Sequence, residues 1–319
     1  MPSSSVKVVA VGGGHGLSRV LRACRELAVR PTAVVTVADD GGSSGRLRRD
    51  LGIIALGDLR MALLALARGE PLADALAHRF ERGTLEGHAL GNLLLLALVE
   101  RANGDILGAL REAERLLDCA GSVLPSTTVP VQLSARVAGR RVDGQANVTS
   151  SGGRLDAVWL EPGDPPACPE AVEAVYDADI VVLGPGSLFT CVIVNLLVGE
   201  LRTAICRTAA RLVHVANVQA QPGETSQLTL DDHVRLLHSA LYERTLDAVI
   251  AHDGPAPEGS AEALRPSASL PGVRQVIATD LVSRNADGRI GRAHDPARLA
   301  AALAAVMADQ RAGSGARPG

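Results

Sequence analysis

The sequence predicts an α/β fold: a doubly wound, mostly parallel sheet with helical and β-hairpin insertions. Three observations carry this. Val6–Val11 is a short unbroken apolar run that stops in glycines, the pattern of a strand buried on both faces. Leu17, Val20, Leu21, Cys24 and Leu27 then repeat at helical spacing, and a second apolar run, Ala33–Val37, follows. Strand, glycine turn, helix and strand in that order open a Rossmann-like sheet.

The rest of the chain continues from there. Helical patterns cover Leu59–Arg68, Leu72–Phe80, Ala89–Arg101 and Ile106–Leu117, separated by glycine- or proline-containing breaks. Val131–Val142 reads as a hairpin turning at Gly139, and Arg154–Leu160 as a further strand. The α/β rhythm resumes with strand Ile180–Leu183, a helix from Ser187, strand Leu212–Ala216, a helix from Leu230 and strand Leu246–Ala251. Pro255–Pro271 is expected to be an exposed loop and Ala297–Met307 a closing helix. Residues 1–310 are thus expected to form one Rossmann-like domain with an inserted region over 58–160, and 311–319 a flexible tail.

Composition narrows the function. Hydrophobic residues are 47% of the 319, but aromatics only 2%, so the core must be Leu, Val, Ile and Ala. So few rings leave no stacking platform for single-stranded nucleic acid, and the net charge of −3 gives no basic stripe beyond Arg46, Arg48 and Arg49. No nucleic-acid partner is expected. The five cysteines are scattered with no CxxC pair, as suits reduced, small apolar residues. The longest apolar stretch, Ala89–Val99, is too short to span a bilayer. With no signal-peptide pattern at its start, the chain is expected in the cytoplasm.

Four constellations carry chemistry. Gly12–Ser18 closes the first strand, and Gly13, Gly14, His15 and Gly16 sit where backbone can approach a ligand and a helix N-terminus faces an anion. After the second strand comes Asp39-Asp40-Gly41-Gly42-Ser43-Ser44-Gly45. Acids there grip ribose hydroxyls in this fold, while Gly42, Ser43 and Ser44 offer donors to phosphate. Two acids beside a phosphate repel it unless Asp39 and Asp40 hold sugar hydroxyls or a cation such as Mg²⁺; the bland reading is a helix-capping turn. His88 and Asn92, four apart at the start of an apolar helix, share a face and either contact ligand or satisfy each other. Gly184, Gly186 and Ser187 form a second strand–loop–helix cradle. Gln221-Pro222-Gly223-Glu224-Thr225 is placed to reach the same sheet edge. No Walker sequence and no nucleophile elbow occur.

Taken together in this order, the constellations resemble the YvcK or gluconeogenesis-factor family, related to 2-phospho-L-lactate transferases. The resemblance is carried by Gly12–Ser18, VTVADDGGSSGRL (Val35–Leu47), Gly57–Arg60, GHALGNL (Gly87–Leu93), Gly184–Leu188 and Asn217–Thr225. Family members typically carry Thr where this chain has His15, which leaves the turn intact and puts a side-chain role there in question. The resemblance implies a protein that binds UDP-sugars, notably UDP-N-acetylglucosamine, and regulates growth on gluconeogenic carbon sources, cell shape and cell-wall homeostasis. It implies no established reaction and names no regulatory protein partner, and a homo-oligomer is left open. The alternative it leaves open is a Mg²⁺-dependent transferase acting on a nucleotide-activated substrate, with Asp39 and Asp40 as ligands. An NAD-dependent oxidoreductase is a third reading, lacking the regular dinucleotide fingerprint.

Overall fold

Strands buried on both faces must be apolar throughout, and the central pair here is: β1 (Val8–Gly12) and β7 (Ile180–Leu183) are buried at every position. The computed structural model describes residues 6–314 apart from 154, 257–262, 268 and 286. Between these two strands run α1 (Gly14–Glu26), β2 (Thr32–Val35), α2 (Gly42–Leu51), α3 (Gly57–Leu66), α4 (Glu70–Ala77), α5 (Leu90–Arg101), α6 (Ile106–Leu116) and β3 (Ser122–Pro125). Then come β4 (Gln132–Val137), β5 (Arg140–Asp143), α7 (Gln145–Ser150), β6 (Leu155–Glu161) and α8 (Pro169–Tyr176). After β7, a π-helical turn over Leu188–Ile193 leads into α9 (Val194–Leu196) and α10 (Gly199–Arg207). The chain closes with β8 (Arg211–Val215), α11 (Leu230–Ala240), β9 (Leu246–His252), β10 (Val273–Thr279), β11 (Val282–Arg284), β12 (Ile290–His294) and α12 (Pro296–Ser314).

Seven strands form one sheet in the order β10-β9-β8-β7-β1-β2-β3, with each neighbouring pair parallel. The chain winds outward from β1 in one direction and from β7 in the other, so the strand order switches direction between β1 and β7. In such sheets the crevice outside the carboxyl ends at that switch is where ligands bind. α1 buries Leu17, Val20, Leu21 and Cys24 and packs against α3 and α12. The core is aliphatic as expected, with Phe189 its aromatic member.

The hairpin turns at Gly139 with φ +77°, and β6 joins it in a three-stranded antiparallel sheet, β5-β4-β6. Three differences from the sequence reading matter. The Gly42–Gly45 stretch does not precede a helix but is itself the first turn of α2, where a Cβ on Gly45 would overlap the Asp40 carbonyl. β3 rejoins the main sheet beside β2, so residues 58–160 form two excursions with a core strand between them. Finally, β10, β11, β12 and α8 lie where only loop, or nothing, is legible. Of Pro255–Pro271, residues 257–262 and 268 lie outside the described residues, as do 315–319 of the expected tail, while 311–314 continue α12. Among the described residues no single helix is long and apolar enough to cross a membrane.

Candidate functional site

The turn after β1 and the turn after β7 meet at the switch point. Gly14 takes φ +59°, a left-handed conformation that side chains disfavour. A Cβ on Gly16 would overlap the Pro185 carbonyl, so the two turns touch backbone to backbone. Between them opens a crevice of about 370 Å³, floored by Gly13, Gly14, His15 and Gly16 on one side and Gly186 and Ser187 on the other. Arg19 of α1, Arg292 and His294 of β12, and the segment Asn217–Pro222 complete its walls.

That segment is anchored to the β7 turn by side chains. Asn217 accepts from the Gly186 N–H (2.9 Å) and donates to the Gly186 carbonyl (2.8 Å). Ser187 Oγ donates to Gln221 Oε1 (2.8 Å). Glu224 is buried and accepts from the N–H groups of Phe189 (2.8 Å) and Thr190 (3.0 Å). Hence the helix N-terminus after β7, expected to receive phosphate, already holds a protein carboxylate. Burial raises the Glu224 carboxyl's pKa, while the two N–H groups work against that shift. The β1 side is different. There the first turn of α1 has no side-chain cap from Gly13, and its first N–H, that of Gly14, meets Asp58. His15 is exposed at the rim, and partial desolvation with Arg19 nearby lowers its pKa. His294 Nε2 bonds the Ala216 carbonyl (3.0 Å), and burial pushes its pKa down to about 4, so it is a neutral imidazole at pH 7.

The acidic constellation divides. Asp39 accepts from Gly41 N–H (2.9 Å) and lines a second cavity of about 250 Å³ with Gly42, Ser43 and Ser44. Asp40 turns the other way and accepts from Ala146 N–H (2.9 Å) at the start of α7. Asp39's companion in the cavity is instead Asp58, the second residue of α3. Burial and the charge of Asp39 push Asp58 up to about 7. Burial also raises Asp39. Asn92 lines this cavity and donates to Ser43 Oγ (3.0 Å), whose hydroxyl also meets His88 Nδ1 (3.1 Å). His88 and Asn92 are therefore brought together through Ser43, on α2. No group of three or more His, Cys, Asp or Glu side chains converges among the described residues.

A family model described as 2-phospho-L-lactate transferase CofD matches residues 8–282. The chain belongs to the CofD family. Within it the chain is similar to gluconeogenesis factors. A "Putative gluconeogenesis factor" of Mycobacterium leprae is 42% identical over 319 residues, 96% of this chain and 87% of that protein. The "Gluconeogenesis factor" of Bacillus subtilis is 40% identical over 255 residues, 79% of this chain and 80% of that one. A "Putative gluconeogenesis factor" of Nostoc is 44% identical over 250 residues, 77% of this chain, and the match spans 55% of its length. A crystal structure of a Bacillus halodurans protein superposes with a TM-score of 0.87 at 36% identity, covering 94% of this chain and 100% of that one.

Both glycine turns of this CofD-family chain border the crevice, and of Gln221–Thr225 the residues Gln221 and Pro222 line it while Glu224 reaches the β7 turn. Sequence reasoning assigns no role to Asp58, Arg60 or Arg79 of the second cavity, nor to Arg19, Gln219, Arg292 or His294 of the crevice. Asp58 carried a signal, an acid directly after Gly57 in one of the segments that resemble the family. The β12 residues carried none.

Proposed function

We propose that this chain is a nucleotide-sugar-binding regulatory protein that takes UDP-N-acetylglucosamine in the β1/β7 crevice. In keeping with its gluconeogenesis-factor relatives, it would serve growth on gluconeogenic carbon sources, cell shape and cell-wall homeostasis. The observation that carries the reading is the meeting of two glycine turns at the switch point of a parallel sheet, the place where such sheets hold nucleotides. The diphosphate would lie over the first turn of α1 with Arg19 beside it. Gln219 lines the crevice, and its Oε1 is buried without a partner among the described residues. Such an acceptor suits the imide N–H of uracil. Calorimetric titration with UDP-N-acetylglucosamine tests the reading; the absence of saturable binding rejects it.

A transferase reading is favoured by one feature, the Asp39–Asp58 pair. The relevant cation is Mg²⁺, and this donor set fits it: two hard carboxylates whose mutual repulsion a cation would relieve, with further ligands to come from phosphate and water. Asp39 and Asp58 would hold the ion, which would neutralise phosphate charge; Asp40, committed to α7, would not. Product analysis after incubation of the protein with UDP-N-acetylglucosamine and Mg²⁺ separates binding from turnover.

A further inference from the structure

We propose that β10, one edge of the main sheet, is a docking strand for a second copy of this chain, the two strands pairing antiparallel about a twofold axis at Val276. The inference does not rest on what occupies the β1/β7 crevice.

The two edges of the seven-stranded sheet are built differently. An edge strand turns every second backbone N–H and C=O outward, and proteins guard such strands by shortness, by proline or by a cover. β3 is guarded in all three ways. It has four residues and ends in Pro125, α3, α6 and α8 pack around it, and Glu114 of α6 accepts from the Val123 N–H (2.6 Å). β10 has none of these devices among the described residues. It runs seven residues, Val273–Thr279, without proline or lysine and without a bulge against β9. Its chief neighbour is β9, and among the described residues no side chain bonds its backbone.

The strand is also self-complementary. Val276 and Ile277 are only half-buried, so the edge carries apolar surface that a partner strand would cover. Laid antiparallel on its own copy about Val276, β10 sets Val276 opposite Val276, Gln275 opposite Ile277 and Arg274 opposite Ala278. No like charges meet, which is the condition for a stable cross-strand pair. Arg274 is the strand's one charged side chain, and Asp247 of β9 already neutralises it (3.1 Å). Pairing consumes the edge on both copies, and the guarded β3 edge offers no second one, so the assembly closes at two. The product is one sheet of fourteen strands, seven from each copy. β10 stands three strands from β7, about 14 Å away, and antiparallel pairing turns the two sets of carboxyl ends in opposite directions. Both crevices stay open.

A single strand pair buries less than the roughly 1,200 Å² of stable complexes, so the dimer should form only at high protein concentration. Sedimentation velocity on the full-length protein over about 5–500 µM should show monomer passing to dimer, with no larger species. Ala278→Glu, at an exposed position, sets a carboxylate opposite Arg274 of the second copy and should tighten the dimer at least about threefold. Ala278→Arg sets guanidinium groups opposite each other and should weaken it by about the same factor. A disturbed fold would move both variants the same way, and circular dichroism checks each. A chain that stays monomeric at about 500 µM overturns the inference. So does a dimer that the two variants leave unchanged or shift in one direction, since the copies would then meet elsewhere.

Discussion

Gly16 sits where α1 and the β7 turn press together, and the reason it is glycine is the Pro185 carbonyl directly opposite its missing Cβ. Gly16→Ala should force the two turns apart, destabilising the fold by roughly 1–3 kcal/mol as overpacking does. In the proposed function it should also weaken UDP-N-acetylglucosamine at least tenfold, roughly 1.4 kcal/mol. Urea unfolding and calorimetry on the same sample check both; intact affinity would take the β1 turn out of the site. Asp40 makes the opposite case. Its carboxylate serves Ala146 N–H, so Asp40→Ala should cost about 1 kcal/mol of stability, like a lost cap, and leave affinity unchanged. Lost affinity at unchanged melting temperature would return Asp40 to the ligand. Two adjacent acids with different tasks are not separable by spacing. Nothing in Asp39-Asp40 says which one faces α7, because the partner is more than a hundred residues away.

The segment from Asn217 to Thr225 is placed by what it grips more than by its own backbone. Asn217 satisfies both polar groups of Gly186, so Asn217→Ala should leave them unpaired at about 1–2 kcal/mol. Hydrogen exchange should then rise across this segment and the β7 turn, while β1 stays protected; uniform loss of protection would mean global destabilisation instead. Elements of this scale were legible where periodicity and burial agree. β1, β2, β7 and α1 are apolar runs or stripes that only one environment satisfies. α2 was not, because Gly42, Ser43, Ser44 and Gly45 have poor helix propensity and the helix is held by contacts with Asp40 and Asn92. β3 ends in Pro125 and pairs only with β2, an edge position where proline is tolerated and the apolar signal is thin. For the site, glycine turns announce themselves locally. Arg79 and His294 reach their cavities through tertiary folding, and their immediate neighbours in sequence give no sign of it.

Over the molecule as a whole, buried titratable groups set an acid sensitivity. Burial pushes His214 down to about 3 and His233 and His294 to about 4, all neutral in the fold. Unfolding frees them to bind about three protons near pH 5, while Asp58, held up at about 7, releases one. Asp39, Glu114 and Glu224, whose pKa values burial also raises, release protons as well, so the histidine uptake is partly offset and stability falls as pH drops from about 6 toward 4. Urea midpoints at pH 6.5 and 5 check this; a flat response would mean the histidines are not neutral in the fold. Glu224 has a consequence of another kind. Glu224 takes two N–H groups at the head of the β7 helix, whereas Asp58, held up at about 7, meets a single N–H at the head of α1, so the crevice has a polarity, much like a keyed socket. In the proposed function a nucleotide sugar would then enter in one sense, its diphosphate toward α1 and its uncharged sugar toward β7. UDP-glucuronate, which carries a carboxylate at the sugar end, should bind wild type at least about tenfold more weakly than UDP-N-acetylglucosamine. Glu224→Gln keeps an acceptor for Phe189 and Thr190 while removing the charge, and should narrow that gap; equal discrimination in both proteins would mean the socket is not keyed there.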